Sequence, residues 1–343
     1  MKCRSSVRPG LDLGNPARLV PALVGARGIV VAAIVPPAMS ASTPTAPAAP
    51  AGSSPHLATL LISCPDRRGI VAASAQVLAG HGANILDSDQ HTDRSEGQFF
   101  QRICFDASEL TTDRGTLERA LDEVARRFSM KFRLSYATAE DGTPRRKRIA
   151  IFVSRYEHCL YDLLLRQRAG ELVGEVALIV SNHPDLGFVA EQFGVPFQVF
   201  PKTPENKKEQ EQRELELLAE SSVDVVVLAR YMQVVSREFV SHYPGRIINI
   251  HHSFLPAFIG GRPYHQAHER GVKLIGATAH YATTDLDEGP IIEQDVVRCS
   301  HRDSVEDLVR KGRDLEKVVL ARAVRSHLED RILSYGNKTV VFD

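Results

Sequence analysis

The sequence predicts an α/β protein: a ferredoxin-like βαββαβ unit followed by a doubly wound, mostly parallel sheet. Two observations support this fold class. The stretch before residue 138 follows the order strand, helix, strand, strand, helix, strand, whereas the stretch after residue 147 alternates short apolar strands with helical segments. The chain is also 343 residues long, which suits about two domains.

Residues 1–56 differ in composition from the rest of the chain. They carry several basic residues and one acid, Asp12, and then become STPTAPAAPAGSSP. Such a segment buries too little apolar surface to offset the entropy lost on ordering. We therefore predict a disordered leader over 1–56, with Met39 as a candidate initiator and a targeting segment as the alternative.

The first folded unit begins at Leu57. LATLLISC is a short apolar run that ends at Pro65, as a buried strand would. Residues 69–80 place apolar side chains at helical spacing before Gly80 and Gly82 end the helix. The remaining elements are two strands, a helix and a strand, over 83–93, 97–106, 114–129 and 130–137.

The segment CPDRRGIVAASAQVLAGHGANILDSDQ resembles an ACT domain, a module that commonly binds amino acids at a dimer interface. The match lies in the turn from Asp66 to Gly69 and in the turn that ends at Asn84. The resemblance implies an ACT domain over 57–137, a homo-oligomer formed through it, and an amino-acid effector near Asp66, Arg67, Gly69 and Asn84. The helix start at Gly69 offers free N–H groups to a carboxylate, although the fold alone also requires these turns.

Residues 138–147, TAEDGTPRRK, predict a polar linker. The basic run Arg145–Arg148 is short and lacks interleaved aromatic residues, so it indicates a solvated linker end rather than a nucleic-acid site. Lys+Arg and Asp+Glu both number 42, so no net charge draws the chain to nucleic acid or an anionic membrane.

Cysteine usage and hydropathy indicate a cytoplasmic protein. The five cysteines are dispersed singly, which is typical of reduced thiols. Apolar runs stay shorter than the roughly 18 residues that a membrane-spanning helix needs. We therefore predict no membrane partner.

The second unit, over 148–343, carries the sheet in which we expect the site. Strands are predicted over 149–153, 176–180, 224–228 and 247–250, with helices near 157–169, 186–193 and 206–221. Ligands of such sheets bind beyond the carboxyl ends of the strands. The first strand continues as SRYEHCL, without the glycines of a dinucleotide or nucleotide loop, so neither NAD nor ATP is predicted and no cofactor is expected.

Polar groups of three kinds, all suited to acyl chemistry, lie at or after strand ends. Alternation along RIINI and the next residue places Asn249 and His251 on one face, His280 lies near another strand end, and Asp287 lies in a loop closed by Gly289. An amide can donate to an oxyanion, an imidazole can move a proton, and a carboxylate can orient both water and imidazole. Singly, each residue also fits a cap, a structural role or an Asx turn.

The motifs NIHHSFLPAF and AHYATTDLDEGPII resemble the folate-dependent formyltransferase family. The resemblance implies a 10-formyltetrahydrofolate substrate, catalytic roles for Asn249, His251 and Asp287, and supporting roles for His280 and His252. It also implies a pterin site formed by two segments, whose residues are Met232, Gln233, Val234, Val235, Thr283, Thr284 and Asp285.

Within that family, three features point to the hydrolytic members, which release formate for one-carbon and purine metabolism. These features are the ACT domain, His252 where the transferases usually have proline, and SRYEHCL where they have a Gly/Ser-rich phosphate loop. Transfer to an amine such as glycinamide ribonucleotide is the alternative, as is a non-catalytic ACT sensor.

A zinc enzyme is a further alternative, because five histidines lie close in sequence: His251, His252, His265, His268 and His280. The segment lacks an HExxH motif and cysteine ligands at metal spacing. We therefore predict no metal.

Overall fold

The computed structural model describes residues 56–257 and 262–343. The predicted disordered leader, its candidate initiator Met39 and the alternative of a targeting segment therefore lie outside the described residues, apart from His56 at the end of that segment.

The first sheet is antiparallel, with strand order β2-β3-β1-β4. Its elements are β1 (Leu57–Pro65), α1 (Ile70–Gly80), β2 (Asn84–Asp93), β3 (Gln98–Asp106), α2 (Arg114–Phe128) and β4 (Lys131–Tyr136). Both helices pack on one face, over a core that includes Leu60 and Phe105. Asp113 caps α2 by accepting from Thr116 N at 2.8 Å. The predicted βαββαβ order is confirmed.

The other face of this sheet is covered from the far end of the chain. A hairpin, β12 (Ile332–Tyr335) and β13 (Lys338–Val341), follows the last helix. Val340 and Phe342 pack against Leu61 and Phe100 of the first sheet. The C-terminal segment thus contributes to the packing of the N-terminal unit.

The second sheet has seven strands in the order β11-β10-β9-β8-β5-β6-β7. They are β5 (Lys147–Val153), β6 (Gly174–Ser181), β7 (Phe197–Val199), β8 (Val225–Leu228), β9 (Ile247–His251), β10 (Leu274–Tyr281) and β11 (Ile291–Arg298). Five adjacent strands run parallel, namely β7, β6, β5, β8 and β9. In contrast, β10 pairs antiparallel with β9, and β11 pairs antiparallel with β10. The predicted mostly parallel sheet is confirmed.

Helices cover both faces of this sheet. They are α3 (His158–Arg168), α4 (Gly187–Phe193), α5 (Lys207–Glu220), α6 (Arg237–His242), α7 (Pro263–Arg270) and α8 (Val305–Leu328). Ile151 faces a core that includes residues of α3 and α8, while its neighbour Phe152 faces the opposite core with Phe239 of α6. Because successive strand residues alternate between faces, both faces of the central strands are apolar.

The strand order reverses between β5 and β8, because the chain adds β6 and β7 on one side and later returns to add β8 and β9 on the other. The loops that follow β5 and β8 therefore diverge and open a crevice at the carboxyl edge. Ligands of doubly wound sheets bind at such a switch point. This edge also carries the end of β9.

The basic run at the linker is only partly solvated. Arg145 and Arg146 are exposed, as predicted. Lys147 instead begins β5, and its Nζ donates to the carbonyls of His327 and Leu328 at 3.0 Å each. The expectation of a wholly solvated end is wrong at Lys147, because this side chain caps the carbonyl groups at the end of α8.

Among the helices of 56–257 and 262–343, none combines the length and the apolar character that crossing a membrane would require.

Candidate active site

The end of β9 presents two polar side chains on one face of the sheet. Ile250 is 3 % exposed and belongs to the core, whereas Asn249 and His251 point to the opposite face. The neighbouring antiparallel strand β10 places His280 directly across from Asn249. Asn249 Nδ2 therefore lies 3.1 Å from His280 Nε2.

Asp287 reaches this edge from the loop between β10 and β11. Its Oδ2 lies 3.2 Å from His251 Nδ1, and its Oδ1 lies 3.6 Å from His280 Nε2. The backbone at Asp287 has a φ of 56°, in the left-handed region. The structure thus brings Asn249, His251, His280 and Asp287 together, although Asp287 lies far from Asn249 in sequence.

The charge of Asp287 follows from its neighbours. Burial alone raises the pKa of this carboxyl group, but the hydrogen bond from His251, together with the nearby His280 ring, outweighs burial and holds the pKa well below its usual range. The carboxylate is therefore ionised at neutral pH and available to the His251 imidazole.

The hydrogen bonds also determine which nitrogen of each ring carries a proton. His280 Nδ1 donates to the carbonyl of Tyr281 at 3.0 Å, so its Nε2 accepts from the Asn249 amide. One N–H of that amide is left for another acceptor. His251 donates from Nδ1 to Asp287, and its Nε2 is buried with no hydrogen-bond partner among the described residues.

His252 lies beside the catalytic candidates, with its ring centroid 5.2 Å from that of His251. Burial, reinforced by the charge of Arg230, lowers the pKa of His252 to about 4. The side chain is therefore neutral at pH 7. A neutral neighbour adds no charge that would oppose a positive His251.

Thr278 orders the loop that follows β9. Its Oγ1 donates to the carbonyl of Ser253 at 2.9 Å and accepts from Leu255 N at 3.0 Å and from Gln294 Nε2 at 2.9 Å. Because Thr278 also pairs with His251 across the two strands, these bonds fix the loop next to the imidazole. No local sequence pattern had indicated a role for Thr278.

Of the two segments predicted to bind the pterin, one follows β8 at the carboxyl edge and the other follows β10, whose last residue, Tyr281, pairs with Ile248 of β9. Met232 and Val234 are 53 % and 55 % exposed, which is high for apolar side chains. A weak ion pair of 3.7 Å between Arg237 and Asp285 connects the two segments. Leu286, 63 % exposed and absent from the prediction, adds apolar surface to the second segment.

A cavity of about 420 Å³ occupies the crevice at the switch point. Met232 and Gln233 line one side of it. The other side is formed by the segments that follow β5 and β6, and its residues are Ser154, Arg155, Tyr156, Asn182 and His183. The predicted pterin segment thus borders an open pocket.

The four residues predicted to bind an effector do not meet within one chain. Asp66, Arg67 and Gly69 follow β1 and are exposed, with Gly69 at a φ of 91°. Pro65 pairs with Gln98 at one end of β3, whereas Asn84 pairs with Asp106 at the other end. A site that includes all four residues therefore requires two chains.

A buried network next to His252 was not found by the sequence analysis. Glu316 of α8 is 1 % exposed, accepts from Tyr264 Oη at 2.7 Å, and lies 2.8 Å from His158 Nε2. Arg230 Nε lies 3.5 Å from the same carboxylate. Gly312 permits this arrangement, because a Cβ at that position would come within 2.0 Å of Tyr264 Oη.

This network also bears on the zinc alternative. Among the described residues, the grouping with three ligand atoms close enough for a metal is His158, Cys159 and Glu316. It includes none of the five histidines considered from the sequence. The positive charge of Arg230 beside Glu316 already neutralises the carboxylate, which disfavours a cation there.

Comparison with known proteins places this architecture in a class. The formyl transferase family profile matches residues 147–324, and the ACT domain profile matches residues 58–124. The fold and the site therefore define an ACT-containing protein with a formyltransferase-type domain, as predicted.

The most similar relatives narrow the class. A formyltetrahydrofolate deformylase from Synechocystis sp. is 55 % identical over 83 % of this chain and 98 % of its own length. The crystal structure of a formyltetrahydrofolate deformylase from Pseudomonas syringae pv. tomato is 47 % identical with a TM-score of 0.80, over 84 % of this chain and 94 % of that one. The chain belongs to the formyltetrahydrofolate deformylase family, and the predicted enzyme class, a hydrolase, is confirmed.

The transferase relatives resemble only part of the chain. Glycinamide ribonucleotide transformylase 1 from Symbiobacterium toebii is 35 % identical with a TM-score of 0.55, and it covers 58 % of this chain and 95 % of its own. The likeness to the deformylases extends over a much larger share of the chain than the likeness to this transferase.

Proposed function

We propose that the chain hydrolyses 10-formyltetrahydrofolate to formate and tetrahydrofolate, with Asn249, His251 and Asp287 as the catalytic residues. One observation carries this proposal. At the carboxyl edge of the sheet, an ionised carboxylate holds Nδ1 of an imidazole whose Nε2 has no hydrogen-bond partner within 56–257 and 262–343, and an amide donor lies next to them. This is the set of groups that cleavage of an N-formyl bond needs.

The chemistry assigns one task to each group. The second N–H of Asn249 donates to the formyl oxygen as negative charge develops there. His251 Nε2 takes a proton from water as the water oxygen bonds to the formyl carbon, and it returns that proton to N10 as the C–N10 bond breaks. Asp287 stabilises the imidazolium that forms between these steps. The proposed reaction uses no cofactor and no metal.

Substrate binding is proposed for the two segments that the Arg237–Asp285 ion pair connects. Met232, Gln233, Val234 and Val235 form one wall of the pterin site. The opposite wall is formed by the loop of Thr283, Thr284 and Asp285. Exposed apolar side chains such as those of Met232 and Val234 suit the flat face of a heterocycle.

The assay that tests this function contains no amine acceptor. The protein incubated with 10-formyltetrahydrofolate alone is expected to release formate and tetrahydrofolate in equal amounts, because water is the acceptor. Formate is measured enzymatically and tetrahydrofolate by absorbance. Turnover that appears only after an amine is added, with a formylated amine as the product, would replace the hydrolase by a transferase.

We also propose that the ACT domain pairs two copies of the chain and binds an amino-acid effector between them. The edge strand β2 exposes Ile85 and Leu86, at 36 % and 53 %. A second copy that covers this edge would bury both side chains. It could also bring Asp66, Arg67 and Gly69 of one copy near Asn84 of the other.

Light scattering of the purified chain tests this pairing. We expect a mass of at least two chains, and we expect Leu86→Lys to lower that mass because it places a charge in the edge that the second copy covers. A wild-type monomer at micromolar concentration would contradict the proposed pairing.

The remaining predictions complete this proposal. The domain division is 1–56, 57–137, 138–147 and 148–343, and the cellular site is the cytoplasm. The formate released supplies one-carbon metabolism and purine biosynthesis. The balanced charge of the chain supports a small-molecule partner and no nucleic-acid partner.

A further inference from the structure

Tyr281, which follows His280 in β10, supports the catalytic groups through its backbone. Its carbonyl accepts from His280 Nδ1 at 3.0 Å, and its N–H donates to the carbonyl of Pro290 at 2.9 Å. Gly289 lies so close that a Cβ there would come within 1.8 Å of the Tyr281 oxygen. The position of Tyr281 therefore determines the orientation of the His280 ring and the position of the loop that carries Asp287.

The Tyr281 side chain leaves the sheet on the face opposite the site. Its hydroxyl lies 2.8 Å from Nδ1 of His327, near the end of α8, and the two residues are 4 % and 7 % exposed. Burial, with the charges of Lys147 and Arg133, lowers the pKa of His327 to about 3, so the ring is neutral. Burial also raises the pKa of Tyr281, so its hydroxyl keeps a proton to share with Nδ1.

The ACT sheet holds the same end of α8. Asp330 Oδ1 forms ion pairs with Arg133 Nη2 of β4 at 3.1 Å and with Lys147 Nζ at 2.8 Å. The carbonyl of Asp330 accepts from Arg102 Nε of β3 at 3.2 Å, and its N–H donates to the carbonyl of His327 at 3.3 Å. A hydrogen bond from β3 and an ion pair from β4 thus connect the ACT sheet to the residues that follow His327 at the end of α8.

A cavity borders this junction. It has a volume of about 480 Å³ and lies between the ACT sheet and the end of α8. Arg102, Arg133, His327 and Asp330 all line it. The side chains of Arg102 and Arg133 therefore border open space next to the buried His327 and Asp330.

We propose that His327 is a positioning residue for the catalytic centre, and that the series Arg133, Asp330, His327 and Tyr281 couples the ACT sheet to it. A ligand or second copy that shifts Arg133 moves the end of α8, and His327 then moves Tyr281. Because Tyr281 orients His280 and the Asp287 loop, the change reaches the reacting groups. The inference rests on the proposed catalytic roles of Asn249, His251 and Asp287.

Tyr281→Phe in the full-length chain removes the hydroxyl and keeps the packed ring. We expect kcat for formate release to fall about three- to tenfold while KM stays within about twofold, because the reacting groups lose alignment but the pterin segments do not. His327→Gln is expected to lower kcat in the same way. If Tyr281→Phe does not fold, the His327→Gln result decides the question.

Arg133→Met tests whether the ACT sheet belongs to the series. Alone, this substitution is expected to lower kcat by a smaller factor than Tyr281→Phe does. In combination with Tyr281→Phe it is expected to lower kcat no further, because the Tyr281–His327 hydrogen bond is already absent. Independent, multiplying losses of kcat would overturn the coupling. Tyr335→Phe is the matched control. It also removes a tyrosine hydroxyl, but that hydroxyl donates to Asp93 at 2.9 Å and does not contact His327, so kcat should stay unchanged.

The outcomes separate this inference from the proposed function. An active Asp287→Asn variant would refute the proposed chemistry, whatever the Tyr281 variant does. An inactive Asp287→Asn variant combined with wild-type kcat in Tyr281→Phe would leave the function standing and overturn the positioning role. A lowered unfolding temperature with unchanged kcat would likewise show that the hydrogen bond is only structural.

Discussion

Asp287→Asn is expected to lower kcat for formate release by about 10²–10⁴ while KM changes little. The amide is nearly isosteric but carries no charge, so it cannot stabilise a protonated His251. Asparagine tolerates the left-handed backbone at this position, where φ is 56°, so the loop should keep its shape. Steady-state kinetics with 10-formyltetrahydrofolate measure the effect.

The control for this substitution is Asp314→Asn on the exposed surface of α8, where the carboxylate is 70 % exposed and pairs with Lys317. Its kcat should equal that of the wild type. Because the folded-state pKa of Asp287 is depressed, its charge also stabilises the fold above the pKa of the unfolded chain, and this contribution is lost as the pH falls through the lower value. Unfolding temperatures should be compared at pH 7. An Asp287→Asn variant within tenfold of wild-type kcat would remove the carboxylate from the mechanism.

The sequence predicted those features that depend on nearby residues. Strand alternation alone placed Asn249 and His251 on one face, and the structure shows both of them at the edge with Ile250 in the core. The short apolar strands and the helix beginning after Asp113 were visible for the same reason, because their signals lie within a few residues.

Contacts that join distant segments left no comparable local signal. Tyr281 and His327 are 46 residues apart, and Tyr264 and Glu316 are 52 apart, so neither pair forms a sequence pattern. Glu316 also lies in a helix with many charged residues, where a solvated position is the ordinary expectation. Its burial follows from the fold, which places α8 against α7 and against the start of α3.

Short elements escaped prediction for a different reason. β7 has three residues and α6 has six, so neither repeats a period often enough to be distinguished from a turn. The hairpin of β12 and β13 is short as well, and it is stabilised partly by packing on the first sheet. Tertiary contacts therefore account for elements that local patterns cannot specify.

Asn249→Ala is expected to lower kcat by about 10²–10³, the usual cost of losing one donor to a developing oxyanion. Asn249→Asp should be at least as inactive, because it replaces the donor by a negative charge that opposes the charge on the formyl oxygen. KM should change little in both variants, since the donor acts mainly in the transition state. The measurement is the rate of formate release under substrate saturation.

A second asparagine provides the matched control for this substitution. The Asn206 side chain accepts from Thr203 N at 2.7 Å and donates to the carbonyl of Pro201 at 3.0 Å, so it also loses hydrogen bonds when replaced by alanine. Asn206→Ala should cost about 1 kcal/mol of stability and leave kcat unchanged, because its bonds serve only the turn before α5. If Asn249→Ala behaves like Asn206→Ala, losing stability but retaining kcat within tenfold, the amide orders the strand end and does not act on the formyl group.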